Sequence, residues 1–392
     1  MYGVRAKLSR RTDRRADPPV LLWNDGMQSW DEFVGDLLAA GAPEATQGGR
    51  RVVARFGRVE AEYDALRSGP AIVDRSYRGL LEATGKDRVA WLHNLTTNLV
   101  KTLGRDEGNY AFALNVQGRI LFDMNVIVRA DSVWIDMDRG FLPVARKHFE
   151  KYIIMEDVRI ADRSDEGVRL ALVGEGAGRL LGELGAAHAA TMASPGMTKV
   201  SWRDTCIEVF RHDFCGSFSV ELFVPVEQAT AFWHEMTDET RARHATPAGD
   251  DAVQIRRIEA GIPWPRREIA DEYLPAETRQ LERAVSSQKG CYLGQEVVER
   301  MRSRQAVARF LCGLKVEGDI VPAEGAEVRG ADGMRVGQVT SVCHSIGLGR
   351  VIALGYVKTS SASPGTKVEI VRGDSITSAV VVQLPFVGSP RH

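Results

Sequence analysis

At about residue 306 the sequence changes texture, and that change sets the architecture. Beyond it, the segments 310–316, 336–342, 351–357, 367–371 and 379–384 are short, β-branched and separated by Gly turns. Runs of short strands after mixed α/β segments mark a separate small barrel or sandwich. Before it, from Ala71 onward, helical and strand patterns alternate. Val89, Leu92 and Leu95 stand at helical spacing within 87–103. Segments 111–114 and 120–128 read as strands joined by a hairpin-type turn at Gln117-Gly118. A strand at 133–137 and a helix at 143–152 follow. A comparable unit begins with the strand 169–173 and the helix 178–184. Strands at 207–211 and 219–225 and a helix around 227–236 complete a second α+β portion.

A chain of 392 residues has material for two or three domains. The expected division is an N-terminal extension (1–49), two α+β portions (50–165 and 166–305) and a C-terminal β-barrel (306–392). Within the extension, Trp30 to Ala40 reads as an amphipathic helix with Phe33, Leu37 and Leu38 on one side, and Ala42 to Arg51 as a loose polar stretch. The first 18 or so residues carry Arg5, Lys7, Arg10, Arg11, Arg14 and Arg15 but no apolar run, so they do not form a secretory signal. Asp13 and Asp17 argue against a mitochondrial presequence, and partial disorder is the expectation there.

Charge narrows the function. Lys plus Arg total 51 against 52 Asp plus Glu, a net charge of −1, which argues against a nucleic-acid or anionic-membrane binder. No apolar run reaches the ~18 residues a membrane span needs. The five cysteines are odd in number and scattered, without a C-x-x-C pair. Neither a disulfide framework nor a zinc or iron–sulfur ligand set is readable, so no metal is expected. A reducing cytoplasm is the expected compartment, with the mitochondrial matrix as the alternative.

Four places could carry chemistry. In Lys289-Gly-Cys291-Tyr292-Leu-Gly-Gln295-Glu296, a thiol follows a Lys and a flexible Gly shortly before a helical segment. A cation and a helix N-terminus both favour a thiolate; the plain alternative is a small buried Cys between turn glycines. In Asn115-Val-Gln-Gly-Arg-Ile-Leu-Phe-Asp123, the hairpin would project Asp123, either toward a ligand amine or into solvent. In Arg257-Ile-Glu-Ala-Gly-Ile-Pro263, Arg257 suits carboxylate recognition, or else forms an ion pair at a helix end. Gly174-Glu-Gly-Ala-Gly178 lacks the G-x-G-x-x-G spacing and an acid partner, and reads as a strand-to-helix turn.

These residues together resemble a known family. Lys289 to Glu296 is similar to the K-G-C-Y-x-G-Q-E signature of the YgfZ family, folate-binding relatives of the glycine cleavage system T-protein (aminomethyltransferase). Asn115 to Asp123 resembles that family's N-x-Q-G-R-x-L-x-D, and Arg257 to Pro263 its R-I-E-A-G-I-P. Val336-Gly-Gln-Val-Thr-Ser341 with Ile352-Ala-Leu-Gly-Tyr356 resembles the shared C-terminal barrel. The resemblance covers roughly residues 50 to 386. It implies an α+β fold of the T-protein cloverleaf type, two folate-binding portions and a barrel around a central tetrahydrofolate site. Glu221, in Ser219-Val-Glu-Leu-Phe-Val-Pro225, aligns with an acid of the T-protein and is expected at the pterin edge. Arg257 is expected near the tail or the pterin, Arg256 more weakly, with Asp123, Asn115, Tyr292 and Gln295 completing the cofactor-binding set.

Two departures separate the chain from a working aminomethyltransferase. Only Asp123 stands where the T-protein has two adjacent acids, and the T-protein lacks the Cys and Gln found at Cys291 and Gln295. The resemblance therefore implies a tetrahydrofolate-binding factor that assists iron–sulfur cluster assembly or repair in client enzymes, with Cys291 as its thiol, Lys289 keeping it ionised and Asp123 beside the folate amine. The alternatives are a tetrahydrofolate-dependent aminomethyl- or methyltransferase with Asp123 as acid/base, and a non-catalytic folate sensor. Arg300, Arg302, Arg304 and Arg309 read as a solvated face.

Overall fold

The structure, a computed structural model, describes residues 29–387 except 243, 305, 306 and 374. The expectation for the basic first 18 residues lies outside the described residues. Helix α1 (Trp30–Ala39) opens with a capping box between Ser29 and Glu32. The stretch from Ala42 to Arg51 is not loose: β1 (Glu44–Gln47) and β2 (Arg50–Val53) pair as a hairpin. Its two-residue turn is Gly48-Gly49, both at positive φ (57° and 83°), the requirement of a type I′ turn. Polar strand residues hide this hairpin from hydrophobic patterning.

Helix α2 (Val59–Arg67) and β3 (Ala71–Asp74) follow, then β4 (Arg78–Thr84), α3 (Arg88–Leu95), the hairpin β5 (Gly108–Leu114) and β6 (Ile120–Val128), β7 (Ser132–Asp138), α4 (Leu142–Glu150) and β8 (Arg159–Asp162). Next come β9 (Gly167–Val173), α5 (Ala177–Glu183), β10 (Gly196–Trp202), β11 (Thr205–Arg211), β12 (Ser219–Pro225), α6 (Val226–Thr237), β13 (Thr246–Ala248) and α7 (Asp250–Glu259). A mostly irregular segment holds α8 (Leu281–Ala284) and α9 (Gln295–Arg304). The last six strands are β14 (Arg309–Val316), β15 (Glu327–Arg329), β16 (Arg335–Ser345), β17 (Arg350–Lys358), β18 (Lys367–Arg372) and β19 (Ser375–Val382).

Besides the β1–β2 hairpin, the described residues form three larger sheets. The first has the order β5-β6-β7-β4-β8; the second, β10-β11-β12-β9-β3-β13; and β14-β17-β16-β15-β18-β19 close into a barrel. Closure leaves the barrel no unpaired edge. Although β3 lies early in the chain, it pairs with β9 and β13 in the second sheet. The chain then crosses to the first sheet through Arg75 to Tyr77. Gly174 to Gly176 form the turn between β9 and α5, with Gly174 at φ +98°, and Gly178 lies in the first turn of α5.

Strand alternation decides what each sheet buries. In the first sheet Phe122, Met124, Val126, Val133 and Ile135 pack with Trp91 and Phe149 of α3 and α4. In the second, Leu170, Leu172, Ile207, Val209 and Leu222 pack with Phe33, Leu180 and Phe232 of α1, α5 and α6. The opposite faces of the two sheets meet each other. Ile127 touches Met197 and Phe210, and Trp134 stacks edge-on to Phe223 at 5.9 Å. Asp123, Asn125, Asp136, Arg169, His212 and Glu221 share these inward faces by the same alternation.

Candidate functional site at the junction of the two sheets

Where the two sheets meet, charge replaces apolar packing. Arg78 donates to both oxygens of Asp136 (Nη2 to Oδ2, 2.5 Å; Nε to Oδ1, 3.3 Å). Arg169 reaches Asp136 Oδ1 at 3.3 Å and Glu221 Oε2 at 3.0 Å. Arg75 Nη2 donates to Glu221 Oε1 at 3.1 Å, and His212 Nδ1 lies 2.9 Å from the same oxygen. Burial alone would push the Glu221 carboxyl up, but Arg75, the His212 hydrogen bond and Arg169 hold it well below the usual range. Asp136 is also lowered: burial opposes, and Arg78 and Arg169 prevail. Burial lowers His212 despite its hydrogen bond to Glu221, so the imidazole is neutral at neutral pH.

A narrow cleft, partly open to solvent, lies beside this network. Arg75, Tyr77, Asp123, Asn125, His212 and Trp264 are among the residues that border it. The Arg75 guanidinium stacks 3.7 Å from the Phe214 ring centre, and its Nη1 donates to Tyr77 Oη at 2.6 Å. Asp123 accepts at Oδ2 from Tyr110 Oη (2.9 Å), while its Oδ1 is shielded from solvent and without a partner. Burial raises the Asp123 carboxyl, against the pull of Arg78 and the Tyr110 hydroxyl. Arg283, exposed at the edge of the cleft, lies over the Tyr110 ring at 4.3 Å. The cleft thus combines aromatic faces, a shielded carboxylate oxygen and a cation at the rim, groups that in general stack on flat rings, accept from N–H groups and pair with carboxylates.

Of the candidate site residues, Asp123 alone lies in the cleft wall, together with Ile262 and Pro263 from the end of the Arg257 to Pro263 segment. Glu221 is fully buried behind the wall, both oxygens taken by Arg75, Arg169 and His212. It acts on the cleft through Arg75 and His212. Arg257 is equally committed elsewhere: it donates to Glu268 (3.1 Å), Ser341 (2.6 Å) and Gln254 (2.9 Å), fastening α7 to barrel strand β16. Arg256 donates to Ser217 (2.9 Å) and lies 3.3 Å from Glu259. Arg309 pairs with Glu277 and stacks on Tyr273, so it is not part of a solvated face, whereas Arg300 and Arg302 are exposed. The side chain of Arg304 falls outside the described residues.

The two glycine-containing motifs interlock away from the cleft. Asn115 Oδ1 accepts from the backbone N–H of Gln117 and Arg119 and fixes the β5–β6 turn. That turn seats against the loop before α9. A Cβ on Gly294 (φ +81°) would lie 2.6 Å from the Asn115 carbonyl, and one on Gly118 (φ +74°) 2.7 Å from Val297 Cβ. Gly294→Ala therefore combines backbone strain with a backbone clash and should cost about 1–3 kcal/mol. Urea unfolding should show the loss, and peptide-resolved alkylation should show faster labelling of Cys291 as the loop loosens. Unchanged stability and labelling would refute the interlock.

Within that loop the Lys289 ammonium, expected beside the thiol, is committed to acceptors around α3. Its buried ammonium donates to the carbonyls of His93 and Asn98 and lies 3.4 Å from Thr96 Oγ1, capping the C-terminal end of α3. Burial, with Lys101 nearby, lowers it to about 7. Tyr292 packs with Tyr110 and Phe112 and buries a hydroxyl without a partner; Gln295 is the first residue of α9. Cys291 is exposed, separated from α9 by the turn at 292–294, and does not border the cleft.

Residues 35–289 match the GCVT N-terminal domain, and residues 309–388 match the glycine cleavage T-protein C-terminal barrel domain. The chain belongs to the glycine cleavage T-protein family. It is 26% identical over 349 residues to an aminomethyltransferase of Herpetosiphon aurantiacus, covering 89% of this chain and 95% of that one. An aminomethyltransferase of Symbiobacterium thermophilum is 28% identical over 369 residues, covering 91% and 96%. The glycine cleavage system aminomethyltransferase T from Bartonella henselae has the same fold, with a TM-score of 0.82, 20% identity, and coverage of 93% of this chain and 99% of that chain.

Among the described residues of this T-protein family member, no helix is long and apolar enough to cross a membrane. Pattern reasoning missed Arg75, Arg78, Asn125, Asp136, His212 and Trp264. One signal was legible: Arg169 and Glu221 each interrupt an otherwise apolar strand, and a charge there must be buried with a partner.

Proposed function

We propose that this chain binds a tetrahydrofolate in the central cleft and assists assembly or repair of iron–sulfur clusters in client enzymes, as the YgfZ resemblance implies. The observation that carries the folate half is Asp123 Oδ1, a shielded acceptor without a partner at the wall of a cleft that also has aromatic faces. Tetrahydrofolate supplies a nucleophilic amine that carries one-carbon units. Asp123 would accept from that amine, Tyr77 and Trp264 would flank the ring, and Arg283 at the rim would take the tail carboxylates, one of the two roles expected of Arg257. Glu221 is a positioning residue that fixes Arg75 and the His212 tautomer.

The iron–sulfur half is supported by the placement of Cys291. An exposed thiol outside the cleft wall can meet a partner protein, and there it would ligate cluster iron transiently as a thiolate, the cluster being cargo. The second reading, an aminomethyl- or methyltransferase using tetrahydrofolate, is favoured by Asp123, whose raised carboxyl suits proton exchange with the folate amine.

Calorimetric titration with tetrahydrofolate tests the first half, with micromolar binding expected. Cys291→Ser tests the second half: it should bind folate normally, yet fail to restore iron–sulfur enzyme activity in cells lacking the protein. Full complementation by the Ser variant, with turnover of an aminomethyl-carrier substrate, would establish the transferase instead.

A further inference from the structure

The β6 wall of the cleft carries a second polar side chain of the same kind as Asp123. Asn125 lies two residues further on, on the same face of the strand, and is 1% exposed. Its Nδ2 donates to Asp136 Oδ2 at 2.9 Å. Asp136 is held ionised by Arg78 and Arg169, so it can only accept, and this fixes which way the amide of Asn125 points. The amide oxygen is left buried without a partner, and Asn125 borders the cleft. Across from it, Glu221 accepts from His212 Nδ1, which leaves Nε2 of a cleft-lining imidazole as a lone-pair nitrogen. Asp123, Asn125 and His212 thus bring three acceptors to one cleft. Buried acceptors are costly unless a ligand brings N–H groups to meet them.

We infer that Asn125 is a specificity-determining residue which, with Asp123, selects a reduced folate ring over the fully oxidised one. The inference rests on the folate reading above. A tetrahydropterin carries N–H at both nitrogens of its reduced ring; in the oxidised ring the same two atoms are lone-pair acceptors. Opposite Asn125 Oδ1 or Asp123 Oδ1, an N–H completes a hydrogen bond. A ring lone pair there leaves both acceptors unsatisfied, and a site built to bond an N–H rejects an analogue that lacks it. A purely structural role for Asn125 is a poor account, because Asp136 keeps two bonds from Arg78 and its contact with Arg169 when the amide is removed.

The test is anaerobic titration of wild type, Asn125→Ala and Asn125→Leu with tetrahydrofolate and, separately, with folic acid. Wild type should bind tetrahydrofolate at least about tenfold more tightly than folic acid, the worth of one satisfied buried acceptor. Both variants should lose about tenfold for tetrahydrofolate and keep their affinity for folic acid, which narrows the preference about tenfold and leaves only the share due to Asp123. Equal losses for the two ligands, or a preference as large as wild type's in either variant, would overturn the assignment. Wild type that binds both folates equally overturns it without reference to any variant. Wild type that binds neither overturns the folate reading itself, and with it this inference.

Discussion

Glu221→Ala should lower the stability of the protein by about 3–5 kcal/mol, the usual cost of removing one partner from a buried ion network. The carboxylate is fully buried and answers two guanidinium groups and an imidazole. Without it Arg75 retains the Tyr77 hydroxyl and Arg169 retains Asp136, but their remaining charge is left in a site that excludes water. The effect has a pH signature. Because the folded-state carboxyl sits below its unfolded value, Glu221 contributes stability fully above the unfolded value of about 4.3, and loses it as pH falls through the folded one. The difference in urea-unfolding free energy between wild type and Glu221→Ala should thus be largest near pH 7 and shrink on acidification. A difference that is absent, or that grows in acid, would show that the network does not hold the two sheets together.

Asp123→Asn should do the opposite to stability while damaging binding. The carboxylate that meets a ligand amine makes a charge-assisted hydrogen bond, so tetrahydrofolate affinity should fall about 10- to 100-fold by calorimetry. If the protein turns over an aminomethyl substrate, its rate should fall about 10²- to 10⁴-fold. In the unliganded protein the folded-state carboxyl of Asp123 sits above its unfolded value, so ionising it weakens the fold progressively as pH rises through that interval. The uncharged Asn lacks this penalty, and the variant should be at least as stable as wild type at pH 7. Lower affinity with equal or greater stability marks a group kept for its ligand. Lower stability with unchanged affinity would remove Asp123 from the site.

Much of the architecture is legible in the sequence because it rests on local periodicity. The barrel follows from β-branched segments between glycines, and the β5–β6 hairpin from alternation around Gln117-Gly118. The β1–β2 hairpin escapes the same reading, since its specification lies in two turn glycines and its strands are largely polar. The site is legible only in part. Asp123, singled out in the sequence, borders the cleft, but Arg75 and Arg78 are not singled out there, and Glu221 and Arg257, chosen as ligand contacts, are buried in ion pairs.

What the sequence by itself determines is the order of the elements, the class of each portion, and the presence of charges inside apolar strands. Such charges tolerate burial only in pairs. Which charges pair with which was decided by tertiary structure. Arg75 meets Glu221 across 146 positions, Arg257 meets Ser341 across 84, and the Gly118 turn meets Gly294 from the far end of the α+β region. Periodicity tells a side chain which face of its own strand it occupies, and nothing in it tells that face which other sheet it will meet. That Glu221 and Asp136 are satisfied by guanidinium groups while Asp123 borders the cleft with an oxygen left unpartnered is decided only when the two sheets come together.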